Sequence, residues 1–155
     1  MLRTPLLLFL TVFDGITAWD HFQFDITFFC YFTDRNSYNL KIEWFENDSF
    51  LSGNDRISSA KIFTPNTGRS SFTMDGAMNG DEILSNGYQP RALISHDCTD
   101  DKKRADLVLT VTTLCQPAST CHYRIIQDLT NNSGWKDIQG NGLKQGDLSP
   151  FPDYP

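Results

Sequence analysis

The sequence predicts an all-β domain, a Greek-key sandwich of about seven strands. Three observations predict it. Apolar and polar residues alternate at period two along several short segments. Gly, Pro, Asn, Asp and Ser clusters separate those segments at short intervals. No segment of useful length carries the 3.6-residue period of an amphipathic helix.

The elements follow in order. Phe22, Phe24, Ile26, Phe28, Cys30 and Phe32 share one face of a first strand. Asp34-Arg35-Asn36-Ser37 is a polar turn, after which Tyr38, Leu40, Ile42 and Trp44 alternate with Asn39, Lys41 and Glu43. Residues 50–56 are a loop, and Ile57 to Phe63 a weaker strand. Thr64-Pro65-Asn66-Thr67-Gly68 is a turn, because Pro65 fixes φ and Gly68 accepts positive φ. Ser71 to Met74 is a short strand, residues 77–89 are irregular, and Arg91 to His96 is a strand again. Leu107, Leu109 and Val111 mark the clearest interior strand; Tyr123, Ile125, Gln127 and Leu129 mark the last. Phe29, Tyr31 and Phe45 fall on faces otherwise polar, where a second core layer is the expected use and an apolar binding patch the alternative.

The N-terminus predicts export. Arg3, the apolar run Pro5 to Phe13 and the small residue Ala18 form the three parts of a secretory signal, so residues 1–18 read as cleaved. The run is too short to span a bilayer, and no second stretch is apolar enough. Residues 19–130 then form the sandwich, and the Gly-, Asn-, Asp- and Pro-rich residues 131–155 a loosely ordered tail. The net charge is −6, and the one dense basic group, Lys102-Lys103-Arg104, follows Asp97, Asp100 and Asp101. Nucleic acid is therefore excluded as a partner class, since phosphate binding needs clustered cations.

Four cysteines, Cys30, Cys98, Cys115 and Cys121, suit two disulfides in an exported chain and allow three pairings. The favoured pairing clips the turn between Cys115 and Cys121 and ties Cys30 to Cys98. Asn47-Asp48-Ser49 and Asn131-Asn132-Ser133 are sequons, which makes Asn47 and Asn131 candidate glycan sites.

Several of these features share an order. They are a core-facing Cys30, the strand Leu40 to Trp44, Thr64-Pro65-Asn66-Thr67-Gly68, Phe72-Thr73-Met74-Asp75-Gly76, and a strand closing on His96-Asp97-Cys98. Over about Phe24 to Val111 the chain resembles the transthyretin-like family of secreted nematode proteins. Three departures mark a divergent member: three residues stand between Gly68 and Phe72, Thr33-Asp34-Arg35-Asn36 replaces the usual turn, and the further cysteine sits at Cys115 and Cys121 instead. The resemblance implies a transthyretin-like, immunoglobulin-like sandwich, secretion, and extracellular binding or adaptor work, in some members through the surface lipid of damaged cells.

No catalytic residue is assigned. His96-Asp97-Cys98 suggests a metal, but strand geometry points His96 and Cys98 one way and Asp97 the other, and an exported cysteine is more often oxidised than metal-bound. The role of His96 and Asp97 stays open at this level, and no cofactor or metal is implied. Asp97, Asp100 and Asp101 read as a solvated acidic turn rather than a calcium loop. Ser95 beside His96 has no nucleophile elbow around it. The leading expectation is a non-enzymatic extracellular domain whose partner is a protein, a lipid or a small apolar ligand, with homo-oligomers allowed. The alternatives are a secreted hydrolase whose site assembles only in the fold, and a structural or host-interaction protein.

Overall fold

The computed structural model describes residues 19–46, 55–79, 87–116 and 120–143. The expected signal at 1–18, the Asn47 sequon and the chain beyond 143 lie outside the described residues.

The described chain is all-β. Its strands are Trp19–Cys30 (β1), Leu40–Glu46 (β2), Lys61–Phe63 (β3), Gly68–Asn79 (β4), Pro90–His96 (β5), Ala105–Val111 (β6), Thr120–Asp128 (β7), Gly134–Ile138 (β8) and Asn141–Leu143 (β9). They form two sheets, one ordered β4-β1-β7-β9 and the other β3-β2-β5-β6-β8. Neighbours are antiparallel except β1 with β7 and β6 with β8.

The period-two residues explain the packing. Phe22, Phe24, Ile26, Phe28, Tyr123 and Ile125 of the first sheet face Leu40, Ile42, Trp44, Ala92, Ile94, Leu107 and Leu109 of the second, and all are buried. Trp44 lies flat on Phe24, ring centroids 3.9 Å apart and planes within 4°. Such aromatic pairs add ~0.5–1.5 kcal/mol beyond their buried area. Burial pushes the Tyr38 hydroxyl up to about 12 and the Tyr123 hydroxyl up as well.

Cys30 bonds Cys98 across the two sheets, Cα atoms 6.0 Å apart, and Cys115 bonds Cys121 at 5.7 Å. The first ties the end of β1 to Cys98, two residues past β5. The second closes the connection between β6 and β7.

Two boundaries differ from the sequence expectation. The sandwich does not stop at 130: β8 and β9 extend each sheet by an edge strand. Gly134 starts β8 at φ +86°, and Trp135 to Ile138 then lie beside Val108 to Val111 in register. Surrounding Gly and Asn hide this five-residue strand from a compositional reading. The crossing between the sheets passes through buried Gly140, where a Cβ would sit 2.7 Å from both the Tyr123 ring and the Val111 side chain. Only glycine fits that approach. β4 is also longer than the short strand expected, because Asp75, Gly76 and Ala77 continue the pairing with β1. Tyr31 is 60% exposed and stacks on Phe29 at 5.6 Å, so it is not a second core layer.

Candidate binding surface

The His96-Asp97-Cys98 motif ends β5, where three connections meet. Each residue of it has a partner. His96 is buried, and its Nε2 lies 2.9 Å from the Asn132 carbonyl oxygen, which can only accept. Nε2 therefore carries the proton, and Nδ1 accepts from the Cys98 amide at 3.2 Å. The ring is held neutral: burial lowers its pKa, against smaller opposing effects of the Asn132 carbonyl, Asp97 and Asp106. Asp97 accepts from the Asn39 amide and side-chain nitrogen, both at 2.7 Å, and stands 3.8 Å from Arg35. Arg35 in turn donates to the Asp97 carbonyl at 2.5 Å. The Cys98 carbonyl accepts from the Asn131 amide at 2.9 Å. The motif thus fastens the connections after β1, β5 and β7 to one point.

Both nitrogens of His96 are spent on the backbone, which gives the ring a positioning role. Cys98 is disulfide-bonded. The three acids before the basic group diverge: Asp97 turns to Asn39, while the Asp101 carboxylate turns to Lys103 at 2.9 Å, and Lys103 holds its pKa below the usual range. Lys102 reaches Asp34 at 3.2 Å and Arg104 reaches Asp106 at 2.9 Å, all exposed. Asn131 is exposed at φ +54°, and its Oδ1 accepts from the Asp100 amide at 2.8 Å. Its Nδ2, the atom a glycan takes, is not used in that bond.

Above this knot lies a groove of about 640 Å³. Its walls include Asn39, Ile62, Thr64, Asp97 and Lys102. A second hollow of about 230 Å³ continues it over Glu43, Leu93, Asp106 and Val108. Lys41, Ser95 and Arg104 line both. The two make one surface on the outer face of the five-stranded sheet.

Strand register sorts that surface into rows. Lys41 lies beside Ser95, and Ser95 beside Asp106, giving a polar row. Ser95 donates to Asp106 at 2.5 Å, and this bond together with Arg104 holds the Asp106 carboxyl below its ordinary pKa. One step along, Leu93 lies beside Val108 and Val108 beside Trp135. Leu93 and Trp135 are exposed, Trp135 by 73%, and Ile62 stands out by 74% at the far edge. The Arg91 guanidinium sits 5.2 Å from the Trp135 ring centroid, which fixes the outer strand's large side chain over the sheet. Glu43 is neutralised from the side by Arg56 at 2.6 Å and Lys41 at 3.7 Å.

The sequence placed Trp135 in a tail and so missed it. Trp135 and Asp137 share one face and Lys136 and Ile138 the other, so each face mixes an apolar with a charged residue and no alternation announces the strand. Missed too was a pair on the outer face of the other sheet. His122 Nε2 meets Asp25 Oδ2 at 2.5 Å, both side chains nearly buried, and Thr73 donates to the other carboxylate oxygen at 3.2 Å. Only the parallel pairing of β1 with β7 brings these residues together, and no local pattern announces it.

Among the described residues no helix is long and apolar enough to cross a membrane. No protein-family model, curated protein or solved structure matches this chain.

Proposed function

We propose that this chain is a secreted, non-enzymatic binding domain of the transthyretin-like, Greek-key type, which takes an amphipathic ligand on the outer face of its five-stranded sheet. The observation that carries the reading is the Leu93–Val108–Trp135 row, an exposed apolar strip set in register beside a polar groove. Trp135, 73% exposed, stands in register with half-buried Val108 and exposed Leu93, and a contiguous apolar patch of this kind marks a contact site. The two disulfides and the all-β frame support an extracellular setting. The strip matches an acyl or sterol-like body, and an anionic head group would compete with Glu43, Asp34 and Asp106 for the solvent-screened cations Lys41, Lys102 and Arg104. A phospholipid of a cell surface has both parts.

The test is titration of the secreted chain with vesicles of a zwitterionic phospholipid, with and without an anionic one, read by tryptophan fluorescence and co-sedimentation. Binding is expected to weaken at least about tenfold in Trp135→Ala, the size of an aromatic anchor. In Lys102→Glu/Arg104→Glu the preference for anionic vesicles is expected to vanish. Unchanged binding in Trp135→Ala, or no binding to either vesicle by the unaltered chain, would sink the reading.

One observation favours the hydrolase instead, the Asp25–His122 pair. A carboxylate-bound imidazole is half of a general-base device, and a nucleophile is the other half. Neither groove described above includes His122. Turnover of an ester or amide substrate that disappears in His122→Ala would establish that reading in place of the first.

A further inference from the structure

We infer that the chain forms a symmetric dimer by pairing β4 with the β4 of a second copy, antiparallel about Phe72. Among the described residues β4 is an edge strand, pairing only with β1 in its sheet. The direction of its free backbone groups can be read off. The Ala77 amide donates to the Ile57 carbonyl at 3.1 Å, away from β1, and the Thr73 carbonyl accepts from Lys61 Nζ at 3.3 Å on the same open side. Along a strand such groups alternate, so the odd residues Ser71, Thr73 and Asp75 aim their amides and carbonyls outward.

The open stretch is bounded. At Gly76 the chain crosses so close to Ile57 that a side chain would fall on the Ile57 carbonyl. From Ala77 onward the edge is therefore covered, while Ser71, Thr73 and Asp75 are exposed. An unpaired edge of this kind templates another strand.

Parity and charge select one register. Odd residues must face odd residues, because only those present hydrogen-bonding groups. Centring the pair on Phe72 puts Arg69 opposite the partner's Asp75, and Ser71 opposite the partner's Thr73, twice each by symmetry. Shifting by two residues along either strand sets Asp75 against Ser71 or Thr67 and loses both opposite-charge pairs. Phe72, half-buried and edge-on to Phe63 at 4.9 Å, then meets its own copy at the two-fold axis. Lys61 yields the Thr73 carbonyl to the partner's Ser71 amide and keeps its place 5.1 Å over the Phe72 ring. The result joins two four-stranded sheets into one of eight.

The experiment is sedimentation velocity on the secreted chain over a dilution series, for the unaltered protein and four variants. Arg69→Asp and Asp75→Arg each turn two attractions into two repulsions and are expected to weaken the dimer about tenfold or more. The double swap Arg69→Asp/Asp75→Arg restores it, and unchanged near-UV circular dichroism of the single variants separates a lost pairing from a lost fold. Ser71→Pro removes an outward amide without touching the β1 ladder and abolishes the dimer, with near-UV circular dichroism unchanged. A monomer at every concentration overturns the inference. So does a dimer indifferent to both single reversals, or one that survives Ser71→Pro. Vesicle binding by the opposite sheet is a separate readout, so the two proposals stand or fall apart.

Discussion

His96 carries the most consequence for a single side chain. Its neutral ring joins the Asn132 carbonyl to the Cys98 amide, and burial lowers its pKa. The charged groups acting on it are Asp97 and Asp106, which favour the proton, and Arg35, which opposes it. The sign follows from linkage. The unfolded chain binds the proton more readily than the folded one, so stability rises with pH through this window. The contribution is full above the unfolded value of about 6.5 and is lost as pH falls through the lower folded value. Urea midpoints of the unaltered chain are therefore expected to drop below about pH 6.5 and then level off. His96→Gln keeps a donor for the Asn132 carbonyl but cannot titrate, so the slope in that window is expected to flatten. Equal slopes in the two proteins would show that His96 is not its source. The sequence made the motif legible as a unit. It did not reveal its task, because the partners Asn39 and Asn132 lie far away in the chain.

At the level of elements, the two disulfides differ in what they tie. Cys30 and Cys98 are separated by 68 residues and link the sheets, whereas Cys115 and Cys121 are separated by 6. Loop-closure entropy gives about 4 kcal/mol for the first and about 2 kcal/mol for the second. Paired alanine variants are expected to show that order in denaturant titrations, with Cys30→Ala/Cys98→Ala the costlier. The reverse order would mean that the short clip holds something other than its own loop. Both pairings were readable before the fold, from a core-facing cysteine on a strand and two cysteines flanking a turn. The alternation of Phe22 to Cys30 and of Leu40 to Trp44 likewise gave β1 and β2. β8 was not readable, because five residues between glycines carry too little period to stand out. β3 was overestimated: Ile57 and Ser58 donate to the Trp44 carbonyl instead of extending the strand, at 2.9 and 3.2 Å.

The whole molecule is closed by its last described segment. β8 covers the edge of β6 and β9 the edge of β7, so on this side both sheets end in a short strand, and the long edge β4 lies at the opposite end of its sheet. Between them Gly140 packs on Tyr123 and Val111, both core residues, and its carbonyl accepts from Thr113 at 2.8 Å. Before them Asn131 and Asn132 hold Cys98 and His96. The segment 131–143 is thus paired into both sheets rather than an appendage, with Gly140 buried and Ile138 packed on the core, although composition alone reads it as a tail. A chain ended at Thr130 is expected to lose cooperative unfolding and its near-UV circular dichroism while keeping strand signal in the far ultraviolet. It would leave Leu107 to Val111 with an unpaired edge and His96 without its acceptor. The comparison is with a chain ended at Leu143, which retains both edge strands. The same urea midpoint for both chains would place the domain boundary back at 130 and make β8 a mere rider on the sheet. A large drop in the shorter chain alone would place the platform residue Trp135 on a strand the fold requires, and so tie the binding face to stability.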